Sequence, residues 1–421
     1  MDALFTPTGS SSDEQFREAR LRTPQVEQEG RAQRGDAKRD RDRILYSSAF
    51  QRLGNVTQVT APEAGHVFHN RLTHSLKVAQ VGRRNAERLA GLANSGEIDG
   101  ESRKLALSLD ADSVEASCLA HDLGHPPFGH IAEATLNAVA REEIGDDFDA
   151  FEGNAQSFRI VTRLSIRDEL QGLNLTRRTL DGMLKYPWPY SANEADKAHR
   201  KWGYYGGEED GDKESFTFAR HRASARVPQE RKCLEAEIMD WADDLTYAVH
   251  DVDDFFRAGL IPLDRLSRPG PEGDDLLRLL SETEEADPGA LGGYEAANLV
   301  NCLAAPLSLY GPESRYEHTA LLRAQMRKFG SELITRYLKA FTLEDDSETA
   351  LPGLKIDPTC RQEVEALKLL VRVYVIRRPG LAVVQHGQER VVRCLFKRYF
   401  DASRRGGSGD RRLFPVAARE R

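Results

Sequence analysis

The stretch Cys118-Leu-Ala-His121-Asp122-Leu-Gly-His125-Pro-Pro-Phe-Gly-His130 gathers three of the chain's 11 histidines and an aspartate into ten positions. Val114, Cys118 and His121 fall at i, i+4 and i+7, so His121 continues a buried helical face. Gly124 with Pro126-Pro127 then breaks the helix. An adjacent His-Asp pair at the end of a core helix can offer an imidazole nitrogen and a carboxylate oxygen to one cation. For a single histidine, exposure at a helix end would be the ordinary reading. Three of them, four and five apart around a helix break, point to metal binding or catalysis.

A pair supplies only half of a metal site, so other segments must close it. Asn70 is a suitable N-cap for a helix whose positions 74, 78, 81, 85 and 89 form one stripe, which places His74 in the first turn at one end of the inward face. Farther on, Cys233 to Phe256 reads as a long amphipathic helix. Leu234, Ile238, Trp241, Leu245, Val249, Val252 and Phe256 make its apolar side, and Asp240, Asp243, Tyr247, Asp251 and Asp254 share the other. A solvated acidic face is the usual meaning of such a pattern. Here a carboxylate from a distant helix is the natural closing ligand, although helical geometry does not separate Asp243 from Asp244. His130 and Glu133, three apart at the start of the helix after the break, share a face; taken alone, an ion pair at a helix start explains them equally well.

The totals narrow the class. Lys and Arg number 59 against 67 Asp and Glu, a net charge of −8, so the chain as a whole is no general polyanion binder, although local basic patches remain available. The 5 cysteines are odd in number and form no C-x-x-C pair, which indicates neither a disulfide framework nor a zinc ribbon. No apolar run approaches membrane-spanning length and no signal core opens the chain. A cytoplasmic protein without membrane attachment is expected.

In chain order, residues 1–40 are polar with few apolar anchors and form an expected mobile arm. Val56-Thr-Gln58-Val59-Thr60 alternates and is rich in β-branched residues, so a small β-hairpin with Val67-Phe68 is expected near the N-terminus. Lys185-Tyr-Pro-Trp-Pro-Tyr190 and Lys201-Trp-Gly-Tyr-Tyr-Gly-Gly207 set aromatics beside lysine, which suits stacking or phosphate contact and equally suits packing around prolines. Beyond Pro262 the chain is acidic and loop-like to about Gly293. Helical spacing resumes from Tyr294 to Phe341 and from Val364 to Phe400. The fold class is mainly α, divided into an arm (1–40), a core (41–262), a helical C-terminal region (263–400) and a flexible basic tail (401–421).

Phe50-Gln-Arg-Leu53, Asn70-Arg-Leu-Thr-His74-Ser, His121-Asp-Leu-Gly-His125-Pro-Pro-Phe-Gly-His130, Phe151-Glu-Gly-Asn-Ala-Gln156, Leu184-Lys-Tyr-Pro-Trp188 and Met239-Asp-Trp-Ala-Asp-Asp-Leu-Thr-Tyr247 together resemble the bacterial deoxyguanosinetriphosphate triphosphohydrolase family of the HD metal-dependent phosphohydrolases. The likeness spans roughly residues 40–260 and is looser beyond. It implies an HD-domain helical bundle with added C-terminal helices, and hydrolysis of a dNTP, dGTP or several, to deoxynucleoside and inorganic triphosphate.

By this resemblance His74, His121, Asp122 and Asp243 hold one divalent metal ion (Mn, Fe, Zn, Co or Mg), Asp243 being preferred for its four- and eight-residue spacing to Tyr247 and Asp251. His125 contacts phosphate, and His130, oriented by Glu133, is the acid-base group. Gln58 and Val59 lie at the sugar, Arg71 at the α-phosphate, and Tyr247 and Asp251 at the sugar and phosphate ends. The implied partners are a dNTP substrate, a nucleotide activator, further copies in a homo-oligomer, and single-stranded DNA. Two alternatives stand beside it: an HD phosphomonoesterase or phosphodiesterase acting on nucleotides, which shares the ligand set, and a nucleotide-regulated oligomer that binds nucleic acid, against which the complete ligand set argues.

Overall fold

The computed structural model describes residues 16–21, 35–57, 69–145, 150–167, 170–190, 201–206, 212–221, 230–266, 270–345, 352–405 and 413–414. The fold is mainly α. The first helix, α1 (Asp36–Leu45), packs against α3 (Ala111–Ala120), which also lies against α2 (Arg71–Ser95). After the His-Asp turn come α4 (His130–Ile144) and α5 (Gly153–Arg159), and α6 (Leu234–Thr246) crosses both α2 and α3. The helices that position the site later in the chain are α7 (Pro358–Val371) and α8 (Pro379–Arg405).

Local chemistry sets the boundaries that matter. Asn70 caps α2, its side chain accepting from the Thr73 N–H at 2.9 Å, as an N-cap should. The cap of α3 is Asp110, which accepts from the Asp112 N–H. Asp112 and Glu115, within the helix, pair with Arg83 of α2. Gly124 follows α3 where a side chain could not fit: a Cβ there would lie 2.2 Å from both the Gly153 carbonyl oxygen and the Ser157 nitrogen. The turn into α4 needs positive φ at Phe128 (70°) and Gly129 (59°).

The long acidic helix is not continuous. After Thr246 it widens into a π-helical turn, Tyr247–Asp251, and resumes as α-helix over Val252–Arg257. Such turns insert one residue and re-aim the side chains that follow, often at functional sites. Here the turn contains Tyr247 and Asp251.

The described strands are two antiparallel pairs, β1 (Ile166–Arg167) with β2 (Leu170–Gln171), and β3 (Phe341–Asp345) with β4 (Pro352–Ile356). The expected hairpin falls largely on 58–68, outside the described residues; a single bridge, Thr57 with Asn70, lies beside that segment. The β3–β4 ladder lies where helical spacing fades, Phe341 and Leu343 being buried.

Parts of the N-terminal forty residues lie on the body. Arg20 Nη1 is 2.6 Å from the buried Asp40 carboxylate, and its Nη2 is 3.0 Å from Asp36, an attachment that a count of apolar anchors misses. One buried apolar cluster runs from Ile44 through Val249 and Phe329 to Val375, so the C-terminal helices share an interior with the residues that carry the His-Asp pair. Among the described residues no helix is long and apolar enough to cross a membrane.

Candidate metal centre

The turn after α3 delivers His121 and Asp122 to a point also reached by α2 and α6. His74 and His121 are both buried, and His74 Nε2 lies 2.9 Å from Asp243 Oδ1. His121 Nδ1 donates to the Cys118 carbonyl at 2.6 Å, which turns Nε2 toward the carboxylates of Asp122 and Asp243. That buried nitrogen has no hydrogen-bond partner. It stands 3.5 Å from Asp122 Oδ1 and 3.6 Å from Asp243 Oδ1. His74, His121 and Asp243 each bring a ligand atom within 4.8 Å of the others.

Asp122 is at the same place but turned. Its Oδ2 accepts from Arg71 Nη1 at 2.6 Å and its Oδ1 lies 3.0 Å from His125 Nδ1. Asp243 and Asp244, which spacing alone leaves open, part company here. Asp243 faces the histidines and Lys185 (2.7 Å), whereas Asp244 faces Lys368 of α7 at 2.9 Å.

The charges are arranged for a cation. Burial would lower the His121 pKa, but Asp122 and Asp243 outweigh it and push it up to about 9. Burial would raise Asp122 and Asp243; Arg71 beside the first and Lys185 beside the second hold both well below the usual carboxylate range. Two ionised carboxylates and two imidazoles, one with an orphaned buried nitrogen, form a mixed N/O donor set that suits a first-row divalent ion. The residues fit such an ion.

A second histidine pair adjoins the first. His130 Nδ1 lies 2.7 Å from Glu133 Oε2, and Glu133 Oε1 accepts from the Gly153 N–H at 3.0 Å while standing 3.9 Å from His125 Nε2. A Cβ at Gly153 would meet Glu133 Oε1 at 2.6 Å, so glycine lets α5 donate its first amide there. Burial opposes ionisation of Glu133, yet its hydrogen bond from His130 and the nearby histidines bring its pKa down to about 2. His125 is shifted down by burial and by Arg71. His130 itself is largely exposed.

These groups line a pocket of about 290 Å³. Arg71, His74, His121, Asp122, His125, His130, Asp243 and Tyr247 all reach it. Asp251 is buried with Oδ2 unpartnered and is not among the lining residues. Gln58 and Val59 lie outside the described residues.

Among the polar groups that complete the pocket and that the sequence does not single out as site residues are Asn154, Lys185, Lys201, Lys368 and Gln385. The two aromatic-lysine segments divide their labour. Trp188 and Tyr190 pack with Trp202 and Tyr205 in a small cluster of their own, while Lys185, Tyr186 and Lys201 face the pocket. Lysine beside aromatics was the available signal; nothing marks Lys368 or Gln385 in sequence.

Residues 71–248 match the HD domain family. A deoxyguanosinetriphosphate triphosphohydrolase-like protein of Streptomyces coelicolor is 41% identical over 317 residues, covering 72% of this chain and 65% of that protein. Its counterpart in Corynebacterium glutamicum is 34% identical over 90% of this chain and 82% of its own length. That of Shewanella sediminis is 30% identical over 92% of this chain and 84% of its own.

Proposed function

The chain belongs to the family of deoxyguanosinetriphosphate triphosphohydrolase-like proteins and is a hydrolase of the HD superfamily, and from that premise we propose that it cleaves a deoxynucleoside triphosphate to deoxynucleoside and inorganic triphosphate. The observation that supports this reading best is the company of the His74–His121–Asp243 group: Arg71, Lys185, Lys201 and Lys368 line the same pocket. Three linked phosphates repel an incoming nucleophile, and a cluster of fixed cations offsets that repulsion.

In this reading His74, His121, Asp122 and Asp243 hold one divalent cation. When bound, such an ion polarises a phosphoryl oxygen and makes a water more acidic. Arg71 sits between Asp122 and the phosphate to be attacked, and His125 adds a contact from the next turn. His130 gives a proton to the departing 5′ oxygen, and Glu133 orients the ring through Nδ1. By the family resemblance Gln58 and Val59 are assigned to the sugar, where they disfavour a 2′ hydroxyl; Tyr247 lines the pocket and Asp251 is buried off its lining.

The test is product identity. Protein loaded with Mn or Mg and given each dNTP should release triphosphate as the first phosphate product, resolved by ion-exchange chromatography. Orthophosphate or pyrophosphate in its place would instead support a nucleotide phosphatase or pyrophosphohydrolase.

A further inference from the structure

The helix α4 ends against its own dipole. Glu142 and Glu143 occupy its last turn, where the unpaired carbonyls make a carboxylate unfavourable. Both acids are answered from α8. Arg393 Nη1 lies 2.7 and 2.6 Å from the two Glu142 oxygens, and Lys397 Nζ lies 3.1 Å from Glu143 Oε1.

The two helices these pairs join both reach the pocket. His130 and Glu133 stand in the first turn of α4, and Ile376 and Gln385, before and within the start of α8, line the pocket as His130 does. From Gln385 to Arg393 is about 12 Å of helix, and from His130 to Glu142 about 18 Å. The helices therefore leave the pocket side by side and are tied together two to three turns away.

Among the described residues α8 is held mainly from one side. Its extensive contacts are with α4 and with the turn at Arg372–Ile376 that leads into it. Of its 27 residues only Ala402 is buried among those described. In contrast, α4 itself buries Ala132, Thr135, Val139 and Ala140. The pairs thus join a firmly seated helix to a loosely seated one.

We propose that Glu142 with Arg393, and Glu143 with Lys397, are positioning residues that set where α8 lies along α4, and so where Ile376 and Gln385 stand across the pocket from His130. Their effect falls on nucleotide binding and leaves the chemical step alone, because the metal-binding and acid-base groups are anchored by other contacts. The inference rests on the nucleotide site proposed above.

Charge reversal tests it in the full chain. Glu142→Arg and Arg393→Glu should each raise KM for dGTP on the order of threefold to tenfold, as expected for loss of a partly exposed pair plus new repulsion, with kcat within about twofold of wild type. The double variant Glu142→Arg/Arg393→Glu should return KM toward the wild-type value. Singles with unaltered KM would overturn the proposal. So would a fall in kcat at constant KM, the mark of a smaller folded fraction, or a double variant no better than either single. A wild-type enzyme inert toward all four dNTPs would overturn the reading of the site, and this inference with it, whereas turnover with indifferent singles overturns the latch alone.

Discussion

The wall of the pocket formed by α2, α3 and α6 is buried and internally paired, whereas the wall that presents Lys368, Ile376 and Gln385 is partly open. His74, His121 and Asp122 are buried, and each touches charged groups from another helix. Gln385 is half-buried and Ile376 is exposed. The contrast matches the two demands on such a site. Reacting atoms must be held within a fraction of an ångström, while a binding wall must admit and release a large charged ligand. The variants below should show a steep gradient from the first wall to the second.

The largest effect is expected at Asp122. Its oxygens are shared among Arg71, His125 and the face of His121, and Asp122→Ala removes both a proposed ligand and the counter-charge of Arg71. Turnover should fall on the order of a thousandfold or more, and metal measured by elemental analysis should fall with it. Retained metal and activity would remove Asp122 from the site.

Next comes the acid-base pair. His130→Ala should cost on the order of a hundredfold in kcat while leaving bound metal unchanged, since His130 lies outside the His74–His121–Asp243 group. Loss of metal in that variant would merge the two clusters into one. Glu133 carries a pH signature as well. Its carboxyl drops from an ordinary 4.5 to about 2 in the folded protein, so the stabilisation it brings is complete above about pH 4.5 and is lost as pH falls toward 2. Glu133→Gln should therefore melt below wild type at neutral pH, and the gap should narrow between about pH 5 and pH 3. A gap independent of pH would mean that the His130 and Gly153 contacts do not depend on the charge.

Gln58→Ala tests the sugar side. If Gln58 faces the sugar, the preference for dGTP over GTP should shrink by about tenfold, the scale of one lost discriminating contact. An unchanged ratio would take Gln58 out of the pocket.

How much of this was legible follows the same gradient. Ligand chemistry requires particular residue types, so His74, His121, Asp122 and an aspartate on α6 stand out in a chain with few histidines. Helical periodicity then places His74 and His121 on inward faces, while the aspartate on α6 lies opposite the apolar stripe and is singled out by ligand chemistry alone. The choice of Asp243 over Asp244 is different in kind, because both lie on one helix and only Lys185 and Lys368 show which way each turns. The π-helical turn at Tyr247–Asp251 is also unreadable, since the apolar pattern runs through it unbroken while the backbone slips by one residue; Asp251 accordingly ends buried and off the pocket lining. On the outer wall the obstacle is composition. Lysine and glutamine are ordinary surface residues, and only the packing of α7 beneath Tyr247–Asp251 brings Lys368 to the metal side.

Lys368 gives the smallest expected effect and the sharpest test of the contrast, because Lys185 is its counterpart on the other wall. Lys185 bridges Asp240 at 2.9 Å and Asp243 at 2.7 Å. Its removal leaves Asp243 ionised without its main counter-charge beside the proposed cation, so Lys185→Met should lower kcat/KM by about a hundredfold. Lys368 meets Asp244, whose pKa burial already raises against the pull of Lys368. With Lys368→Met a half-buried carboxyl that burial already shifts upward loses its partner, and kcat/KM should fall only about fivefold. Steady-state kinetics of the two variants decide the matter. Equal losses would mean that the 368–385 wall is as tightly engaged with the substrate as the metal side, and the distinction between a fixed and an adjustable wall would fail.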